Sequence, residues 1–126
     1  MLKIEIPIQP TTKKNHGQIV MIKGRPIMLP SKPYQEYEKK CKSYIPKIEK
    51  PINFPINLKC TYYLETRRKT DLTNLLQATC DILVKYGVLE DDNYNIVSSI
   101  DGSRACYDKE NPRTVIEIER IQENEV

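Results

Sequence analysis

"RRKTDLTNLLQATCDILVKYGVLEDDNYNI", residues 67–96, contains the change of hydrophobic period that decides the fold. From Asp71 to Tyr86, Leu72, Leu75, Leu76, Thr79, Cys80, Leu83 and Tyr86 recur at i, i+3, i+4 and i+7, the spacing of one helix face, and Gly87 provides a C-terminal stop. Just upstream, "INLKCTYYLE" (56–65) alternates instead, placing Ile56, Leu58, Cys60, Tyr62 and Leu64 on one face of a strand. The strand runs into the helix through Arg67-Arg68-Lys69, so a basic segment lies next to Asp71 at the helix start.

The same reading extends to both ends. "LKIEIPI" (2–8) alternates as a strand, and "QIVMIKGRPIMLP" (18–30) reads as a hairpin turning at Lys23-Gly24-Arg25. Ser31 is placed to cap a helix reaching about Lys42, with Pro33 in its first turn and Tyr34 and Tyr37 on a common face. After the central helix, "YNIVSSIDGSRACYD" (94–108) and "RTVIEIERI" (113–121) read as two strands joined by a turn at Asn111-Pro112. The expected fold is therefore α/β of the α+β kind: a mixed sheet of about four to six strands packed on two helices. At 126 residues the chain has room for one core, a single domain over 1–126.

Composition narrows the function. Hydrophobic residues make up 39%, and apolar runs are far below the roughly 20 residues of a membrane span, so no membrane association and a cytoplasmic location are expected. Cys41, Cys60, Cys80 and Cys106 form no C-x-x-C pair, which favours free, mostly buried thiols. The net charge of +3 conceals an asymmetry: residues 1–70 carry 15 Lys/Arg and 5 Asp/Glu, residues 71–126 carry 5 and 12. A basic half suits a polyanion, with carboxylates of the other half working beside it.

The candidate chemistry lies on the polar stripe of the central helix. Thr73, Gln77 and Asp81 follow i, i+4, i+8, with Asn74 beside them and Asp71 at the start. Taken alone, Asp71 reads as a helix cap and Asp91-Asp92 as a solvated turn. Carboxylates repel DNA unless a divalent cation intervenes, however, and Asp residues holding hydrated magnesium can activate water against a phosphodiester drawn in by Arg67-Arg68-Lys69.

These residues resemble the signature of the RusA family of Holliday junction resolvases, small phage- and prophage-derived endonucleases. The family pattern is Asp-x-Asp-Asn opening a helix, a Lys three residues on, a further helix Asp, then Gly-Val and, a few residues later, Asp-Asp. Here Asp71, Asn74, Asp81 and "GVLEDD" with Asp91 and Asp92 occupy those places, and "KKNHG" and "GRPIMLPSKPYQEY" resemble the family's polar loop, hairpin and first helix. Thr73 stands where the second Asp is usual and Gln77 where the Lys is, and neither supplies the missing charge.

The resemblance implies a magnesium-dependent homodimer, with manganese as an alternative metal, that nicks opposing strands of a four-way DNA junction. Asp71, Asp91 and Asp92 would be metal ligands and, with Asn74, the catalytic set. Lys13, Lys14, Asn15, Lys23, Arg25, Arg67, Arg68 and Lys69 would hold DNA. A junction binder that has lost catalysis through Thr73 and Gln77 is the alternative, and a protein-binding module using an acidic tail (Glu117, Glu119, Glu123, Glu125) is another.

Geometry poses a question for this set. A helix over 71–86 is roughly 24 Å long, and the five residues after it span at most about 17 Å. Either the chain doubles back along the helix, the simpler arrangement, or antiparallel helices of a dimer bring Asp71 of one chain to Asp92 of the other.

Overall fold

Strand β4 (Ile56–Leu64) organises the sheet. On one side it pairs antiparallel with β7 (Arg113–Arg120), which pairs antiparallel with β1 (Leu2–Ile6). On the other it is flanked by two short parallel segments, β5 (Val97–Ser99) and β6 (Arg104–Tyr107). The result is a mixed five-stranded sheet, accompanied by a separate hairpin of β2 (Gln18–Ile22) and β3 (Arg25–Leu29). The computed structural model describes residues 1–13, 18–29, 31–122 and 124, with Gln18 described through its backbone alone.

Alternation sorts the sheet into two faces. Ile4 and Ile6, then Ile56, Leu58, Cys60 and Tyr62, then Thr114, Ile116 and Ile118 point the same way and are buried, joining one core with the helices α1 (Lys32–Cys41) and α2 (Leu72–Lys85). Tyr62 and Thr79 of α2 share a hydrogen bond of 2.7 Å through their hydroxyls, which satisfies both buried oxygens and sets α2 against β4. The opposite face is polar: Arg113 lies 3.7 Å over the Tyr63 ring and pairs with Asp108, and Lys59 pairs with Glu117. Among the described residues, no helix is long and apolar enough to cross a membrane.

Local chemistry explains the helix bounds. The Ser31 Oγ accepts from the Tyr34 backbone N–H, and a proline occupies the first turn of α1. In the hairpin, Lys23 (φ 50°) and Gly24 (φ 77°) both take left-handed conformations, as a two-residue turn matched to strand twist requires.

The strand expected over 94–108 is divided. Asp101 and Gly102 turn away from β4, and side chains replace the missing ladder bonds: Asn57 Nδ2 donates to the Asp101 carbonyl, Asn57 Oδ1 accepts from the Asp101 N–H, and Ser103 Oγ accepts from the Cys60 N–H. The acidic tail is also corrected in part, since Glu117 and Glu119 belong to β7, where outward positions of an alternating strand carry charge. Glu123 and Glu125 lie outside the described residues.

All four cysteines are free, and three are buried. Burial pushes the Cys41 thiol up to about 11 and those of Cys60 and Cys80 up to about 12, so they remain protonated at neutral pH. A colorimetric disulfide reagent at pH 8 is expected to titrate Cys106 quickly and the other three only on unfolding. Two fast thiols in the native protein would contradict this packing.

Candidate active site

Asp71 begins the backbone of α2 without capping it through its side chain. Its carbonyl accepts from the N–H groups of Asn74 and Leu75, while the carboxylate makes no capping bond and its Oδ2 accepts from Asn74 Nδ2 at 3.2 Å. The Asp71 carboxylate is thus kept at the polar side of the first turn, with the basic segment Arg67-Arg68-Lys69 directly before it.

At the other end of α2 the chain reverses. Gly87 (φ 78°) allows its own N–H to reach the Val84 carbonyl and the Val88 N–H to reach that of Leu83, at 3.2 and 2.9 Å. This pair of bonds satisfies carbonyls that the helix end leaves open. The strand-like segment that follows is pinned to Ile52, whose N–H donates to Val88 and whose carbonyl accepts from Glu90. The doubled-back path is therefore the one observed. It brings Asp92 to the helix of its own chain, where Asp92 Oδ2 accepts from Gln77 Nε2 at 3.4 Å. Gln77 precedes the helix end by about 12 Å at ~1.5 Å per residue.

Gln77 joins two carboxylates. The same Nε2 donates to Asp81 Oδ1 at 3.0 Å, and Lys13 Nζ lies 2.8 Å from the other oxygen of Asp81. Beneath them, the raised Cys80 thiol owes its shift first to burial and then to the charges of Asp92 and Asp81. Asp91 turns elsewhere. Its Oδ1 accepts from the Asp92 N–H at 2.7 Å and its Oδ2 from Asn93 Nδ2 at 2.9 Å, and these bonds hold its carboxyl below the usual range.

Arg68 and Lys69 line a cleft of about 310 Å³ with Gln9, Thr11, Thr12 and Ser31, while Arg67 lies 4.2 Å over the Tyr107 ring. Lys23 and Arg25 are exposed at the hairpin tip. Lys14 and Asn15 lie outside the described residues.

The family model described as Endodeoxyribonuclease RusA matches residues 7–119, most of the chain. The chain belongs to the RusA endodeoxyribonuclease family. No curated protein matches it. The RusA match takes in α2, the returning segment and the hairpin together, so the carboxylates and the basic clusters belong to one family frame.

Magnesium keeps much of its water and takes one or two carboxylates together with substrate phosphate oxygens. Asp71 is exposed and Asp92 half-exposed, leaving room for that hydrated coordination. Among the described residues no group of three His, Cys, Asp or Glu side chains is placed to hold a metal ion, so the expected set of Asp71, Asp91 and Asp92 does not come together as one cluster. Thr73, exposed one turn before Gln77, adds a hydroxyl to the same face. What sequence reasoning missed is the pairing of Lys13 with Asp81, since no local pattern links a loop before β2 to the middle of α2.

Proposed function

We propose that this RusA-family chain is a magnesium-dependent endonuclease that resolves four-way DNA junctions by paired nicks, working as a homodimer in the cytoplasm of a bacterial or phage-infected cell. The observation behind the reading is the return of Asp92 to the polar face of α2, on the helix that begins with Asp71 and the basic segment before it.

Asp71 and Asp92 would hold the metal, which when bound polarises a phosphoryl oxygen and lowers the pKa of attacking water. Arg68 and Lys69 draw the phosphate backbone along the cleft beside Asp71. Asn74 steadies the Asp71 carboxylate by its 3.2 Å bond, and Asp91 fixes the turn that carries Asp92. Gln77 holds Asp92 toward the helix through a neutral amide.

The hairpin supports the dimer. Ile19, Met21 and Met28 are 64–69% exposed on it, and an isolated two-stranded hairpin is marginal in water. A second subunit covering these side chains would supply the two-fold symmetry that paired cuts need.

The alternative of a catalytically silent junction binder is favoured by one feature, the Gln77 amide already bonded to both Asp81 and Asp92. A labelled synthetic four-way junction separates the two. The proposal expects symmetric nicks with magnesium or manganese, none with EDTA, and binding that weakens steeply with salt. Binding without cutting under either metal would establish the silent binder, and no salt-dependent gel shift would exclude both.

A further inference from the structure

We infer that Lys13 is a positioning residue of the candidate site, supplying from the N-terminal loop the positive charge that the helix face lacks at Gln77. The inference rests on the nuclease reading given above and concerns how its carboxylates are held.

Asp81 and Asp92 both approach one Gln77 nitrogen, at 3.0 and 3.4 Å. An amide is a neutral donor, so it satisfies hydrogen bonding without offsetting the repulsion of two carboxylates. Lys13 provides that offset. Its Nζ lies 2.8 Å from the Asp81 oxygen that Gln77 does not use, and 5.4 Å from the centroid of the Tyr34 ring, a buried side chain of α1. Two independent partners, one on each helix, therefore hold the ammonium in place.

The consequence is a chain of orientation. Lys13 fixes Asp81, Asp81 fixes the Gln77 amide, and the amide meets Asp92. A lysine introduced at position 77 would place a positive charge on the residue that already faces both carboxylates.

The test uses the full-length chain with Lys13→Ala, Lys13→Arg, Gln77→Lys and the double variant Lys13→Ala/Gln77→Lys. Three quantities are followed: the cleavage rate at saturating junction DNA, the affinity for that DNA in EDTA, and the Gln77 side-chain amide signals in metal-free ¹⁵N spectra. Lys13→Ala is expected to lower the rate roughly tenfold or more, as loss of a group that orients a ligand does, and to move the Gln77 signals toward those of a free glutamine. Affinity should change by less than about threefold, since many phosphate contacts share it. Lys13→Arg should keep most of the rate, and Gln77→Lys in the Lys13→Ala background should restore it.

Unmoved Gln77 signals would overturn the inference, and so would a rate lost only in proportion to affinity, which marks a plain DNA contact. A Lys13→Arg rate as low as that of Lys13→Ala would do the same. If the parent chain binds junctions but never cuts them, the nuclease reading falls, and the amide signals still decide whether Lys13 positions Gln77.

Discussion

Asp92→Asn is expected to reduce junction cleavage by a factor on the order of 10²–10³, the usual cost of removing one preorganised group that stabilises developing charge. The asparagine keeps nearly the same shape and can still accept from Gln77 Nε2, so the fold and the helix contact survive while the negative charge is lost. Binding in EDTA should hold or tighten, because a carboxylate facing phosphate has been neutralised. Asp91→Asn is the contrasting variant. Both its oxygens serve the turn itself, so its effect on rate should be nearer roughly tenfold, the lower end of what loss of a group that orients a ligand costs. Equal losses at the two positions would mean that both carboxylates meet the metal. A mixed dimer carrying Asp71→Asn on one chain and Asp92→Asn on the other extends the test. Because Asp92 meets the helix of its own chain at Gln77, each site in that dimer carries one lesion, and no nicking is expected. Single nicks from the mixed dimer would place one site across the subunit boundary.

Leu83→Ala should produce the largest stability loss, about 2–5 kcal/mol, read as a fall in unfolding midpoint of roughly 10 °C or more. Leu83 is fully buried, so its truncation leaves a cavity under the sheet. It also sits where α2 ends: its carbonyl accepts from Val88 and Leu89, and Val88 is itself fully buried. Burial of both side chains at the turn fastens the reversal. Gly87→Ala is the milder partner. An added Cβ would meet nothing within 4 Å, so only the left-handed backbone is strained, at about 1 kcal/mol. Destabilisation by Leu83→Ala of less than about 1 kcal/mol would show that this end of the core can collapse around the gap.

Local signals were the legible ones. The Gly87 stop, the Ser31 cap, the Lys23-Gly24 turn and the alternation of β4 each depend on residues adjacent in sequence, and each appears where the pattern puts it. The division of the segment after α2 was not legible, because it depends on Asn57, whose side chain grips Asp101 at a separation of 44 residues. The site divides similarly. Asp71, Asn74, Gln77 and Asp81 could be placed on one helix from spacing alone, whereas the return of Asp92 required the anchoring of residues 88–90 to Ile52. Lys13 read as one more exposed cation, and only the approach of its ammonium to Asp81 and the Tyr34 ring gave it particular partners.

The break between β5 and β6 also bears on how the protein behaves at high concentration. A long strand at the margin of a sheet offers another chain a continuous row of N–H and C=O groups, a template for cross-β growth. Here that margin is made of a three-residue strand, a turn at Gly102 and a four-residue strand. The interrupted spacing gives an incoming strand only short purchase, so this side of the sheet resists fibrous self-association.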